Sequence, residues 1–266
     1  LIRTNNLSIK KTKKTIIKNK NINLFKLFKY FFENYFFNLI DRKKDINWRI
    51  FVSSKKELFN LKYLKKKNLF KKFTNRYFAD PFVYKFKKNV FVFFENFNKE
   101  KNKGHISYLN LNEKNKIYNI INKKYHLSYP FIFDYKNKIY LVPETSKKNE
   151  LQIWKSIDFP KKWKLYKKKM IGENFADPTF FFDKNKNLWL FINKSIDKFK
   201  DHNSELYIYK VEKNFDKFIP HKLNPVIIDC RFARNAGNLF YYKNKLLKPC
   251  QINIYGKYGY GLQFLE

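Results

Sequence analysis

The stretch FADPFVYKFKKNVFVFFENF, residues 78–97, decides the fold of this chain. An Asp-Pro step precedes an aromatic run, and a Lys-Lys-Asn turn separates that run from a second one, which ends near a glutamate. Aromatic and β-branched runs on both sides of a short polar turn predict a β-hairpin. Asp80 opens the hairpin and Glu95 closes it, so strand pairing brings both carboxylates to the same edge.

The hairpin pattern occurs four times, with starts roughly 50 to 60 residues apart. The four copies are ADPFVYKFKKNVFVFFE from Ala79, SYPFIFDYKNKIYLVPE from Ser128, ADPTFFFDKNKNLWLFIN from Ala176 and RNAGNLFYYKNKLLKPCQ from Arg234. A third strand-like run follows each copy, and a fourth follows the first three. Repeated units of four strands predict the blades of a β-propeller.

The sequence predicts an all-β fold, a five-bladed β-propeller whose closing blade is incomplete at the C-terminus. WRIFVSS (Trp48 to Ser54) and the stretch near Phe70 read as outer strands of a fifth blade, and its inner strands do not follow the fourth copy. A β-sandwich is the alternative. We expect residues 46–266 to form the propeller domain and residues 1–45 to form a basic, partly helical segment or linker, with the whole chain a piece of a longer protein.

The segment from Leu24 to Ile40 has apolar residues at helical spacing, which predicts a short N-terminal helix. It contains charged residues and is too short to span a bilayer. One interpretation places this helix on a membrane surface. The other packs it against the domain or against an upstream part of the protein.

The chain of 266 residues carries 58 Lys and Arg against 22 Asp and Glu, a net charge of +36. Almost all the basic residues are Lys, and Asn, Ile, Phe and Tyr are also abundant. These residues have A/T-rich codons, so genome composition accounts for the excess and we predict no specific nucleic-acid partner. Two cysteines and four histidines in no metal spacing predict no metal, no cofactor and free thiols in a cytoplasmic, reducing compartment.

Polar residues recur at both ends of each hairpin, and in a propeller these ends meet at one mouth of the central channel. The predicted mouth residues are Asp80, Glu95, Tyr129, Glu144, Asp177, Asn193, Asn235 and Gln251, with His126, Ser128 and Arg234 beside them. Carboxylates, amides and aromatic rings are the groups that bind sugar hydroxyls and sugar ring faces. The alternative is that each Asp-Pro step only caps the start of a strand.

At these residues the chain resembles the N-terminal domain of plant glucosamine inositolphosphorylceramide transferases, a module that bacterial relatives carry beside a formyltransferase-like domain. The segments that carry the resemblance are FADPFVYKF, YHLSYPFIFDYKNKIYLVPETS, SIDFPKKWKL, ADPTFF, SELYIYKV, HKLNPVIIDCRFARNAG and KYGYGL, in this order. The resemblance covers roughly residues 48–266. It implies a setting in glycan or glycolipid assembly, such as bacterial polysaccharide biosynthesis, with a transferase domain fused or nearby.

The resemblance also implies kinship with the propellers of glycoside hydrolase families 43 and 32, which use an Asp, an Asp and a Glu from three successive blades. Asp80 matches the first carboxylate, which acts as base or nucleophile. Tyr129 stands at the second position and Asp177 at the third, and these two departures count against hydrolysis. If the domain is catalytic, we expect glycosyl transfer or glycoside hydrolysis, with Asp80 as base or nucleophile and Asp177 or Glu144 as acid.

Three hypotheses therefore stand on the sequence. The first is a carbohydrate-active propeller that binds or processes a glycan, accessory to glycan or glycolipid assembly. The second is a non-catalytic scaffold in which the aspartates only cap strands. The third is a glycoside hydrolase with paired carboxylates.

Overall fold

The computed structural model of the protein describes residues 24–41, 48–52, 67–68, 73–113, 116–194, 201–254 and 257–266. The first 23 residues of the predicted basic segment and the stretch around Phe70 lie outside the described residues. The elements that precede the repeats are helix α1 (Leu24–Asp41) and the two short strands β1 (Phe51–Val52) and β2 (Lys67–Asn68).

The repeats form four successive antiparallel sheets, each built from strands that are neighbours in sequence. The first sheet contains β3 (Arg76–Phe86), β4 (Asn89–Asn98), β5 (Lys103–Asn110) and β6 (Tyr118–Ile121). The second contains β7 (Ser128–Tyr135), β8 (Lys138–Glu144), β9 (Leu151–Asp158) and β10 (Lys162–Lys169), with a short 3-10 helix (Ser146–Lys148) after β8.

The third sheet contains β11 (Phe175–Phe182), β12 (Leu188–Lys194), β13 (Glu205–Glu212), β14 (Lys217–Pro220) and β15 (Ile227–Ile228), the last two both paired with β13. The fourth contains β16 (Phe240–Tyr242), β17 (Lys245–Ile254) and β18 (Lys257–Leu265). Four consecutive meander sheets of this kind are the blades of a β-propeller, which confirms the all-β propeller prediction.

Aromatic side chains from neighbouring blades fill the spaces between the sheets. Phe82 of blade 1 packs edge-on against Tyr129 of blade 2 at 4.8 Å between ring centroids, and Phe133 of blade 2 stacks on Phe180 of blade 3 at 4.8 Å. These rings belong to one buried cluster that spans the first three blades. A smaller cluster that includes Phe191 and Leu239 joins blade 3 to the segment before blade 4. The aromatic runs of the sequence therefore form the inter-blade core.

The prediction of five blades is wrong: the described residues form four. In this part of the chain, strand β1 pairs with β2, with Phe51 opposite Asn68, and makes a separate two-stranded sheet instead of the outer half of a blade. The reason is that the described residues contain no inner strands on which a fifth blade could be built.

The segment before β1 bridges the first and last blades. Ile50 is 3% exposed and packs with Phe78 and Phe94 in a cluster on blade 1. The ring of Trp48 reaches blade 4, where a Cβ at Gly259 would lie 2.7 Å from Cη2 of Trp48. Side-chain contacts therefore link the first and last blades, and the described residues show no strand pairing between them.

Helix α1 lies outside this core. It shares no extended contact with any strand in the described part of the chain. No helix among the described residues combines the length and apolar character needed to cross a membrane.

Candidate functional site

Each of the first three inner strands carries a bulge at its Asp-Pro or Tyr-Pro step. The register between the two strands of the hairpin shifts from Ala79 to Phe82, from Ser128 to Phe131 and from Ala176 to Thr179. The bulged residues Asp80, Tyr129 and Asp177 have φ of 50°, 44° and 50°. A left-handed φ is unfavourable for a non-glycine residue and is typical of functional sites, where the surrounding structure enforces it. In each of the first three blades, the bulge thus places one polar side chain at the same mouth of the channel.

A buried guanidinium ties three blades together at this mouth. Nε of Arg234, from the segment that leads into blade 4, donates a hydrogen bond to Oδ2 of Asp177 in blade 3. Nη2 of Arg234 lies 3.7 Å from Oε2 of Glu144 in blade 2. Oε2 of Glu144 also accepts a hydrogen bond from the backbone N–H of Asp177 at 3.2 Å. The carboxyl groups of Glu144 and Asp177 therefore lie side by side and share one cation.

Asp80 reaches across from blade 1 to blade 2. Its Oδ2 accepts a hydrogen bond from the backbone N–H of Tyr129 at 3.2 Å. Desolvation, together with the nearby charge of Asp177, raises the pKa of Asp80 to about 6. Asp80, Glu144 and Asp177 thus converge as the hairpin register predicts, and burial raises the pKa of Asp177 to about 7 despite the opposing effect of Arg234.

Glu95 and His126 form a second corner of the mouth. Nε2 of His126 lies 3.6 Å from Oε1 of Glu95, and Nδ1 of His126 accepts a hydrogen bond from the N–H of Gly104 at 2.9 Å. Burial raises the pKa of Glu95 to about 9, with Asp80, Glu144 and Asp177 adding to the effect, and burial lowers the pKa of His126 to about 4. Both side chains are therefore uncharged at neutral pH.

Oε1 of Glu95 is buried and has no hydrogen-bond partner in the structure. Such an orphaned polar atom is costly, because the water it loses on folding is not replaced. In a pocket of sugar-binding composition, an unsatisfied carboxyl oxygen is a site for a ligand donor. Gly104 makes room for this arrangement, because a Cβ there would lie 2.5 Å from this oxygen.

Other predicted site residues have structural roles. The hydroxyl of Tyr129 is 2.8 Å from Oγ1 of Thr179 and accepts a hydrogen bond from the N–H of Gly237 at 2.9 Å, so it cross-links three blades. Asn193 is fully buried, and its Nδ2 donates to the carbonyls of Glu205 and Ala233. These two side chains hold the mouth together and are not free to contact a ligand.

The remaining predicted residues lie at the margin of the site. Ser128 is buried opposite Glu144 in the register of blade 2. The backbone N–H of Asn235 donates to Oδ1 of Asn193 at 2.9 Å, and Nε2 of Gln251 donates to Oδ1 of Asn253 at 2.8 Å.

Sequence reasoning missed Tyr258 and Lys248. The hydroxyl of Tyr258 lies 3.4 Å from Nη2 of Arg234, and the guanidinium of Arg234 stands 5.5 Å from the centre of the Tyr258 ring. Tyr258 belongs to the KYGYGL segment, and the alternation of Tyr and Gly there is the sequence feature that could have indicated this residue. Lys248 is 2% exposed, and its Nζ donates to the carbonyls of Phe232 and Ala233 at 3.0 Å each. No sequence pattern distinguishes this lysine from the surface lysines.

Among the described residues, no group of three or more His, Cys, Asp and Glu side chains is placed to hold a metal ion. Cys250 is fully buried, burial raises the pKa of its thiol, and no histidine contacts it. The chemistry available at the mouth is that of carboxyl groups, one guanidinium and aromatic rings.

The four sheets form a β-propeller whose fold is similar to that of solved glycoside hydrolases. The chain superposes on Bacteroides ovatus xyloglucan PUL GH43B with a TM-score of 0.50 at 14% identity, over 70% of this chain and 39% of that one. The RS223 β-xylosidase gives a TM-score of 0.50 at 9% identity, over 66% of this chain and 71% of that one. At such identities the likeness concerns the fold.

Sequence comparison then gives the family. The profile of the family described as "Glucosamine inositolphosphorylceramide transferase 1, N-terminal" matches residues 65–265, and the chain belongs to this family. Glucosamine inositolphosphorylceramide transferase 1 of Oryza sativa subsp. japonica is 30% identical over 193 residues, which are 70% of this chain and 26% of that protein. The Arabidopsis thaliana protein of the same name is 27% identical over 183 residues, 66% of this chain and 24% of that protein.

The chain spans about a quarter of the length of these relatives. The relatives are plant proteins, so the expected setting in bacterial polysaccharide biosynthesis has no support from them. What the comparisons do support is a carbohydrate-related propeller from a family of transferase N-terminal domains.

Proposed function

We propose that this propeller binds a sugar residue of a glycan or glycolipid at its channel mouth, and that it presents this sugar to a transferase domain elsewhere in the protein. The observation that carries the proposal is the convergence of four buried or half-buried carboxyl groups, from Asp80, Glu95, Glu144 and Asp177, two of which share the guanidinium of Arg234. A strand cap needs one carboxylate per blade and no shared cation. A ligand pocket needs side chains from several blades at one point.

The charge of the mouth favours an amino sugar. One guanidinium faces Asp177 and Glu144, while Asp80 and Glu95 lie close to each other without a cation of their own. An ammonium group of a ligand would favour the ionised forms of these two buried carboxyl groups, and hydrogen bonds to a charged partner are worth roughly 1.5–3 kcal/mol each. The names of the plant relatives contain glucosamine, which agrees with this class of ligand.

Hydrolysis is the weaker alternative, because two of its three groups are engaged. In the position of the second carboxylate, the Tyr129 hydroxyl is held by Thr179 and Gly237. In the position of the acid, Asp177 is hydrogen-bonded to Arg234. A general acid must present its proton to the leaving group. The carboxyl group of Asp177 would first have to break its hydrogen bond to Arg234.

The experiment is a titration of the chain with glucosamine, N-acetylglucosamine and glucose, followed by calorimetry or by ligand-observed NMR. We expect glucosamine to bind more tightly than glucose. Asp80→Asn should weaken glucosamine binding roughly 10- to 100-fold. Asp134→Asn is the matched control, because Asp134 lies exposed at the far end of the blade 2 hairpin.

Two outcomes would contradict the proposal. Equal binding of the three sugars by both variants would place recognition away from these carboxyl groups. Absence of binding to all three sugars, with an intact thermal unfolding transition, would favour the scaffold hypothesis. Turnover of aryl glycosides that is lost in Asp80→Asn and kept in Asp134→Asn would instead establish the hydrolase hypothesis.

A further inference from the structure

The largest exposed apolar surface of the described residues lies on helix α1. Seven of its side chains are 55–79% exposed, namely Leu24, Phe25, Phe28, Phe31, Phe32, Tyr35 and Phe36. Large apolar side chains in such density are unusual on a protein surface and mark sites of interaction.

The seven side chains share one face of the helix. At 3.6 residues per turn they fall within an arc of about 140°. The charged pair of Lys29 and Glu33, with 3.9 Å between Nζ and Oε1, lies outside this arc. A helix with a continuous aromatic face that is bordered by charged residues is typical of helices that lie in a membrane interface.

The chain around the helix is basic. Residues 1–32 contain nine Lys and Arg and no Asp or Glu, and at the end of the helix Arg42, Lys43 and Lys44 stand between Asp41 and Asp45. Here the genome-wide preference for lysine does not account for the arrangement, because acidic residues are also missing. Basic residues that flank an apolar helix add roughly 1 kcal/mol each to binding at an anionic lipid surface.

We propose that α1 is an interfacial helix that inserts its aromatic face into the surface of a membrane rich in anionic lipids. The occupant of this face is then a lipid surface and not a second protein, because a protein interface of this composition does not require a strongly basic segment in front of it. The inference is independent of sugar binding, since no residue of α1 contributes to the channel mouth.

The test uses the whole chain in flotation with vesicles of phosphatidylcholine alone or mixed with phosphatidylglycerol. We expect the protein to float with the mixed vesicles, and to do so less as salt is raised. The double variant Phe28→Gln and Phe32→Gln keeps both helix propensity and net charge. It should weaken partitioning at least about tenfold, because two aromatic rings no longer enter the lipid.

The matched control is the double variant Lys29→Gln and Glu33→Gln, which also has two glutamines and an unchanged net charge but leaves the aromatic face intact. It should float like the original chain. Equal flotation of both double variants would overturn the proposal. So would a dimer in light scattering that only the aromatic-face variant dissociates, because the face would then join two copies of the chain.

Discussion

Nε of Arg234 donates a hydrogen bond to Oδ2 of Asp177, and the two side chains are 8% and 6% exposed. They come from residues 57 positions apart and from different blades. The same guanidinium reaches Glu144 at 3.7 Å. The pair therefore fixes the relative positions of blades 2, 3 and 4 at the mouth, and it engages Oδ2 of the Asp177 carboxyl group.

Breaking this ion pair from one side should be strongly destabilising. Arg234→Met leaves the carboxylates of Asp177 and Glu144 buried without a cation, and removal of one partner of a buried pair costs about 3–5 kcal/mol. Urea unfolding would measure the loss. The double variant Arg234→Met with Asp177→Asn should recover part of the lost stability, because only one buried carboxylate then lacks a cation. A loss under about 1 kcal/mol for Arg234→Met alone would show that water reaches the pair.

The hairpins could be predicted from the sequence, but the number of blades and the contact between the first and last blades could not. Strands β3 and β4 and strands β7 and β8 lie where the aromatic runs predict them, because pairing between neighbours is encoded locally by the turn and by alternation. The number of blades depends on the pairing of residues far apart, and no local pattern shows whether Trp48 meets a strand or only Gly259.

At the site, too, the features set by local sequence could be predicted and those set by distant contacts could not. The convergence of Asp80, Glu144 and Asp177 follows from their shared register. The cross-linking role of Tyr129 does not follow from the sequence, because it depends on Thr179 and on Gly237, which lies 108 positions away. Contacts at such separations are set by how blades pack against each other.

The carboxyl group of Glu95 should make the stability of the fold fall as pH rises. Burial and the charges of Asp80, Glu144 and Asp177 raise the pKa of Glu95 from 4.5 to about 9, so the folded state holds the proton more tightly than the unfolded state. Its stabilising contribution is complete below pH 4.5 and is lost as pH rises through 9. The slope is at most about 1.4 kcal/mol per pH unit for one proton.

Glu95→Gln should therefore flatten the pH profile of the unfolding free energy between pH 5 and 9. His126, the other titratable partner at this corner, has a pKa lowered to about 4 by burial, so its stabilising contribution is lost at the acid end, as pH falls from 6.5 through 4. An unchanged slope in Glu95→Gln would mean that Glu95 is ionised in the folded protein.

Gly104 should tolerate no side chain. A Cβ there would lie 2.5 Å from Oε1 of Glu95 and 2.6 Å from the backbone carbonyl of Leu127, which cannot move alone. Gly104→Ala should cost about 1–3 kcal/mol, as overpacking does, and should also weaken sugar binding by displacing Glu95. Gly261→Ala is the control, since the nearest atom to its Cβ is Cδ1 of Ile252 at 3.4 Å. Equal melting temperatures for the two variants would refute the steric argument.

Lys248 should be the most important lysine for stability. Its buried ammonium satisfies the carbonyls of Phe232 and Ala233, in the segment that leads to Arg234. Lys248→Met leaves these carbonyls without a donor, at a cost of about 1–3 kcal/mol for each buried group left unsatisfied. Lys245→Met should cost under about 1 kcal/mol, because Lys245 pairs with Glu266 at the surface. Denaturant midpoints of the two variants decide whether the buried ammonium has this role.

Ile50 should behave as a core residue of the propeller although it precedes the first blade. Its side chain is 3% exposed against Phe78 and Phe94, and it holds the segment whose Trp48 touches blade 4. Ile50→Ala should cost about 2–5 kcal/mol, the range for deleting a buried aliphatic side chain. The neighbouring Phe51 is 50% exposed, so Phe51→Ala should cost under about 1 kcal/mol. If the two variants unfold at the same denaturant concentration, the segment does not close the ring and the first and last blades are held together by other contacts.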